Sequence, residues 1–374
     1  VTRPTRAEVD LGAIAHNMGV LRAASGHGSV CAVVKAGGYG HGAVEVARAA
    51  LGAGAAMLGV ATIEEGVELR DAGIDERILL LSEPPHGALD AAVAYSLRPT
   101  LYTRGGVAAA VAAVRGSRRA EPLPVHLKVD TGMRRVGAAP GDLGGLAAAV
   151  ESAPELGLEG VFTHLAVADE PDRDFTATQL ARFDAALAAL DRAGIRPRIR
   201  HAANSAGTFC HPGSRYDLVR CGISLYGLAP AAALAGRPGV ADLRPALRLR
   251  SEVAFTKRVA AGEGISYGLR YAPARDATVA TVPIGYADGV PRLLSARGGE
   301  VLIGGVAHPI AGTVTMDQIT VDCGDHPVNV GDEVVLIGTQ GSTTIGADDW
   351  ATALDTISYE VVCGISSRVP RRYG

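Results

Sequence analysis

From residue 10 to about residue 227, short apolar runs alternate with longer stretches in which apolar positions recur at helical spacing among charges. Runs at residues 30–34, 57–61, 77–81, 97–102, 125–129, 160–164, 196–203 and 216–220 have the length and content of buried strands. Between most of them lie alanine-rich segments such as residues 43–51, 63–72 and 174–193, which predict helices. A leading helix is expected after Asp10, a residue type that caps free N–H groups of a first turn. Eight strand–helix units in about 220 residues predict a (β/α)8 barrel of the TIM type rather than an open doubly wound sheet.

Past about residue 240 the period changes to alternation, at residues 247–255, 277–282, 301–303 and 333–337. Turn signals such as Gly304-Gly305 and Val330-Gly331-Asp332 separate these runs. The expected α/β architecture is a barrel over residues 1–240 followed by a smaller β-rich domain over 241–374. The linker is expected at 232–242, with Gly236, Pro238 and Gly239, and residues 1–10 are available to pair with the second domain.

Composition narrows the function. At 374 residues the chain exceeds the size at which a single core keeps growing, and 48% hydrophobic residues supply two cores. A net charge of -3, with Lys and Arg spread along the chain, gives no footprint for nucleic acid. The basic run from Arg368 to Arg372 reads as a solvated tail or a subunit contact. Five cysteines, odd in number and without a Cys-x-x-Cys pair, indicate neither a metal site nor a disulfide framework. No long apolar stretch spans a bilayer, and the first residues lack the apolar core of a signal peptide, so no membrane and a cytoplasmic location are expected. Gly52-Ala-Gly54 lacks a third glycine and precedes a strand, so a dinucleotide fingerprint is excluded.

In a barrel, residues at the carboxyl ends of strands build the active site. Here Lys35 follows the first strand and opens into Gly37, Gly38, Gly40 and Gly42, with Tyr39 and His41 among them. Two readings fit: a lysine snorkelling from a strand end, or an amine poised for a Schiff base beside bare N–H groups. Lys128 and Asp130 stand at the fifth strand, before Thr131-Gly-Met-Arg-Arg135. His164 ends the sixth, Asn204 and Ser205 the seventh, and Arg220 the eighth, before Cys221, Gly222 and Ile223. Barrels commonly bind phosphate with the loops after strands seven and eight, and these loops offer Ser205 with Ala206-Gly207 and Gly222 with Ile223. Tyr39 is a candidate to close the same site. An amine on the rim and a phosphate cradle across it point to pyridoxal 5'-phosphate (PLP).

The stretches AVVKAGGYGHG, HLKVDTGMRRVG, VFTHLAVADE, AANSAG, VRCGISLYG, ISYG, PIGYADG, GTVTMDQI and ISYEVVCGISSRVPRRY run from residue 32 to residue 373. Together they resemble the alanine racemases, PLP enzymes of fold type III. The resemblance implies Lys35 as the Schiff-base lysine and one of two acid–base groups, with Tyr267 as the other on the opposite face of Cα. It implies His164 and Arg220 as the cationic surroundings of Tyr267, and Arg220 as the residue facing the pyridine nitrogen. Tyr39, His164, Asn204, Ser205, Arg220, Gly222, Ile223 and Tyr359 are implied as cofactor contacts. Arg135, Tyr286 and the backbone of Met316, in a loop shaped by Asp317, are implied at the substrate. Lys128 matches a lysine that is often carbamylated. A head-to-tail homodimer with shared active sites is implied, with D-alanine going to bacterial peptidoglycan. One departure is Gly37-Gly38, where the family has Asp or Asn and then Ala; it is expected to loosen the loop behind Lys35.

Two alternatives remain at this point. A broad-specificity amino-acid racemase shares the chemistry but tends to be exported. A PLP-free Schiff-base aldolase on a phosphate-binding barrel shares Lys35 and the cradle.

Overall fold

The computed structural model describes residues 3–374. Its first strand, Arg6–Val9 (β1), precedes a helix, Leu11–Ser25. Eight strands follow: Ser29–Val33 (β2), Met57–Val60 (β3), Ile78–Leu80 (β4), Thr100–Leu101 (β5), Leu123–Lys128 (β6), Leu156–Phe162 (β7), Ile199–His201 (β8) and Leu218–Cys221 (β9). They pair in parallel in two runs, β4-β3-β2-β9 and β5-β6-β7-β8. Backbone bonds close both gaps. Leu80 N–H donates to Arg98 at 2.9 Å between β4 and β5, and Arg220 N–H donates to Ala203 at 3.0 Å between β8 and β9. The expected barrel is formed, with helices such as Ala43–Gly52, Ile63–Asp71 and Phe175–Arg192 between its strands.

Local chemistry explains where the elements differ from the sequence pattern. The fourth run shrinks to Thr100–Leu101 because Pro99 has no N–H to give a ladder, and Arg98 makes only an isolated bridge to Leu79. The segment around 232–242 is not a free linker. Leu234 is buried with Leu165 and Ala206, and Asn17 binds the carbonyl and the N–H of Arg244 at 2.8 Å each. The barrel unit comprises Gly12–Gly38 and Ala43–Pro245.

The other unit holds residues 3–11, Tyr39–Gly42 and Ala246–Gly374. Its strands are Leu247–Glu252 (β10), Phe255–Val259 (β11), Ala277–Val282 (β12), Glu300–Ile303 (β13), Val306–Pro309 (β14), Ile319–Asp322 (β15), Glu333–Gln340 (β16), Thr343–Ile345 (β17) and Arg371–Tyr373 (β18). The larger sheet runs β14-β13-β16-β10-β1-β18, with β17 on β16, and the smaller runs β11-β12-β15. The run expected at 247–255 is therefore two strands in two sheets. Val253 N–H turns to Asp332 and Ala254 N–H to Thr281, so the chain changes partners at that point.

The loop after Lys35 is ordered rather than loose. Ala36, Gly37, Gly38 and Tyr39 all take left-handed backbone angles, with φ of 53°, 60°, 63° and 50°. Gly38 N–H donates to Val34 at 2.9 Å, and Ala36 N–H donates to the Glu65 carboxylate at 2.6 Å. A residue with a Cβ pays about 1–2 kcal/mol in this conformation, and glycine does not. The paired glycines therefore relieve a turn that the bonds already fix. At Gly37 an added Cβ meets nothing within 4 Å, whereas at Gly38 it lies 3.1 Å from the Ala43 backbone. Gly37→Ala is expected to cost about 1 kcal/mol and Gly38→Ala about 2 kcal/mol. Chemical denaturation of the full chain checks the order, and equal costs would refute the packing argument.

Candidate active site

Lys35 stands two residues beyond the end of β2, half-buried. Lys128 is the last residue of β6 and is buried, its Nζ 5.3 Å from the centre of the Phe162 ring. Burial, then the charges of Arg220 and Arg135, push its pKa down to about 7; Lys35 adds to this and Asp130 opposes it. Asp130 does not neutralise it by contact. Its Oδ1 accepts from the N–H groups of Gly132 and Arg134 at 2.9 and 3.0 Å, an Asx-type turn. Lys128, Asp130, Arg135, Thr163 and His164 line one narrow cleft.

Arg220, on β9, is buried and donates to four acceptors. Nη1 reaches His201 Nδ1 at 2.9 Å; Nη2 reaches the carbonyls of Thr163 and Ala202 at 2.8 and 3.0 Å, and His164 Nδ1 at 3.2 Å. Burial lowers its pKa to about 10, so it keeps its proton at neutral pH. A guanidinium only donates, so His164 Nδ1 accepts and a neutral His164 carries its proton on Nε2. Burial, then Arg220, Lys128 and Arg135, hold the His164 pKa well below the ordinary value. The expected cationic surroundings thus reduce to one cation, Arg220, and one neutral donor, His164. The neighbouring thiols Cys31 and Cys221 are pushed up to about 12 by burial and are inert.

The loops after β8 and β9 meet as the sequence placed them. Asn204 caps the helix Ser205–Cys210, its Oδ1 accepting from Gly207 N–H at 2.9 Å. Gly222 N–H donates to Ser205 Oγ at 3.1 Å, joining the two loops. Ile223, fully buried, begins a short 3-10 turn that ends at Tyr226, whose hydroxyl donates to Val33 at 3.0 Å on the strand before Lys35. First-turn N–H groups have no intrahelical acceptor, so this buried end of Ser205–Cys210 fits a phosphate. A half-buried lysine, a buried arginine and a buried helix start with free first-turn N–H groups stand on one barrel rim, a donor set that fits PLP.

In the β-rich unit, Tyr39 lies against Tyr359 with ring centres 6.2 Å apart. Tyr267, Tyr286 and Met316 are 73%, 42% and 52% exposed. Their loops are tied together. Thr313 Oγ1 donates to the Tyr267 carbonyl at 2.9 Å, Tyr286 N–H donates to Thr315 at 2.9 Å, and Ala287 N–H to Met316 at 3.1 Å. Ser266, just before Tyr267, sits at φ 63°, ψ -171°, a strained state held by its hydroxyl bond to Thr313 at 2.7 Å. Asp288 is buried between Arg3 at 2.7 Å and Arg368 at 3.3 Å, and Arg368 also reaches Asp317 at 2.6 Å. Arg371 donates to the carbonyls of Gly40 and Val369 at 2.9 and 2.7 Å. The basic run at the end of the chain is therefore not a solvated tail: two of its arginines brace the loops that carry Tyr286 and Met316 and the segment after Tyr39.

Family models of the alanine racemase N-terminal and C-terminal domains match residues 9–230 and 246–373. The chain belongs to the alanine racemases. It is therefore an isomerase, and the expected family and two-part architecture are met. An alanine racemase of Symbiobacterium thermophilum is 51% identical over 100% of this chain and 97% of its own length. The crystal structure of the alanine racemase from D-cycloserine-producing Streptomyces lavendulae superposes with a TM-score of 0.93 at 41% identity, covering 100% of this chain and 98% of the other. The Bacillus anthracis alanine racemase, solved with bound L-Ala-P, gives 0.92 at 39% identity, covering 100% and 96%.

Sequence reasoning passed over Glu65, Asp288, the buried His126 and His201, and the partly buried Glu159. One signal was available in this racemase. His126 and Lys128 are two apart on a strand and so share a face, which marks a polar barrel interior rather than an apolar one.

Proposed function

We propose that this alanine racemase binds PLP through Lys35 and moves the α-proton between Lys35 and Tyr267 of a second copy, on opposite faces of the substrate. The exposure of Tyr267 carries this reading. A phenol 73% exposed, on a backbone held in a strained state, is costly unless something outside its own unit uses it. When bound, PLP takes up the electrons left at Cα, which no side chain can do.

Tyrosine ordinarily loses its proton near pH 10 and is a poor base at neutral pH. The Nε2–H of His164, backed by Arg220, is the donor that would stabilise the phenolate. Arg220 holds its own proton and so leaves the cofactor's ring nitrogen without one, which limits transamination. Ser205, Gly222 and Ile223 take the phosphate. Asn204 serves the site indirectly by capping the helix behind Ser205. Arg135 and the Met316 backbone hold the alanine carboxylate. Tyr286 and Tyr359 narrow the entrance to small side chains, which disfavours a broad-specificity racemase. A head-to-tail homodimer follows from the shared site, in the cytoplasm, with D-alanine supplied to peptidoglycan. No helix among the described residues is long and apolar enough to cross a membrane.

Loss of optical rotation from L-alanine in deuterated water, with deuterium entering Cα, tests the reading. A protein that leaves L-alanine undeuterated would overturn it. Lys128 adds a second test. With its pKa near 7, the neutral amine is present at physiological pH and can take up carbon dioxide. The carbamate anion would orient Arg135, which Lys⁺ would repel. A carbonyl resonance from ¹³C-bicarbonate is expected in the intact protein and absent in Lys128→Ala. That variant should lose about 10–100-fold in activity.

A further inference from the structure

Arg220 has no carboxylate among its hydrogen-bond partners in the described residues; its charge is answered through two buried imidazoles by a partly buried carboxylate. His201 Nε2 lies 2.9 Å from His126 Nδ1, His126 Nε2 lies 3.1 Å from Glu159 Oε2, and Arg98 Nε donates to the same oxygen at 2.6 Å. The chain crosses β9, β8, β6 and β7 in turn, and both imidazoles are fully buried. Room for it is built into the barrel. A Cβ on Gly160 would stand 2.4 Å from His126 Nδ1, and the β6–β7 register shifts between Val125 and His126. Phe162 stacks on His201 with centres 4.5 Å apart, fixing the ring plane.

The donors set a single direction. Arg220 can only donate, so His201 Nδ1 accepts and a neutral His201 bears its proton on Nε2. That proton faces His126 Nδ1, so His126 also bears its proton on Nε2 and gives it to the carboxylate. Burial, then the charge of Arg220, lowers the pKa of His201; for His126 burial outweighs the opposing pull of Glu159, with Arg98 and Arg220 adding to it, so both lean to the neutral form. Burial pushes Glu159 up, but its bonds to His126 and Arg98 outweigh it and hold the pKa at about 2. Reversal would set an N–H of His201 against Nη1 of Arg220 at 2.9 Å, two donors face to face.

We propose that Glu159 is a positioning residue for Arg220: acting through His126 and His201, it holds both imidazoles in the Nε2–H tautomer, so that an acceptor always faces the guanidinium. The proposal rests on the reading that Arg220 faces the cofactor ring.

Long-range ¹H–¹⁵N correlation on the cofactor-loaded, ¹⁵N-histidine-labelled protein reads the tautomers directly. Both rings are expected neutral with Nε2–H at pH 7; an Nδ1–H or doubly protonated ring at either position overturns the relay. Glu159→Leu removes the acceptor, and kcat should fall about tenfold at unchanged KM. Glu159→Gln keeps an acceptor oxygen and should retain the tautomers and kcat within about twofold. A Leu variant with full kcat, or a Gln variant that loses the tautomers, sinks the positioning role. If the Leu variant does not fold, the unsubstituted protein and the Gln variant still decide. The reading of Arg220 is tested apart, by the cofactor's visible absorption in Arg220→Lys.

Discussion

Lys35→Ala is expected to lose racemisation by about a thousandfold or more, and to lose the cofactor linkage that borohydride fixes in the unsubstituted protein. The effect is large because, on the proposed reading, one amine both holds PLP and carries a proton at one face of the substrate. Its position is set by the barrel rather than by its neighbours in sequence. Val33, before it, accepts a hydrogen bond from Tyr226 on the loop that follows β9, and Ala36, after it, donates to Glu65. The substitution leaves both bonds in place, so the melting temperature should change little while turnover collapses. A borohydride-treated variant that still carries covalent cofactor would show that another amine does this work.

Tyr267→Phe should slow solvent-deuterium exchange into L-alanine by about 10²–10⁴-fold, with the Lys35 side of the reaction retained. Full-rate exchange from L-alanine in this variant would refute the two-base assignment. The loss is confined to the hydroxyl, because the ring is exposed and its backbone is held by Ser266 and Thr313. Mixing the two variants tests whether a site is shared between copies. If Lys35 and Tyr267 of one site come from different chains, a mixed dimer has one doubly defective site and one intact site. Random mixing then returns about a quarter of full activity, since half the dimers are mixed and half their sites are whole. Within a single chain, mixing returns nothing.

Much of the candidate site was legible because its residues stand at the carboxyl ends of strands that local pattern identifies. Lys35, Lys128, His164, Ser205 and Arg220 all follow apolar runs, and the barrel's closure then brings them to one rim. The glycines behind Lys35 were legible as a turn but not as a left-handed one. Only the bonds from Gly38 to Val34 and from Ala36 to Glu65 reveal that the turn is held, so that glycine there relieves strain instead of adding motion. The ion pairs of Arg368, an exposed residue, were not legible in the chain, because its partners, Asp317 and Asp288, are about 50 and 80 residues away.

Periodicity along the chain settled the alternation of strand and helix, the barrel, the change to a β-rich unit and the residues at the strand ends. Each of those depends on contacts between neighbours in sequence or on which face a side chain takes. The relay from Arg220 to Glu159, the burial of Asp288 between two arginines and the neutral state of His164 were decided by the tertiary structure alone. A side chain's face can be read from its own position in the chain. Its partner, and therefore its charge, depends on which distant strand closes against it.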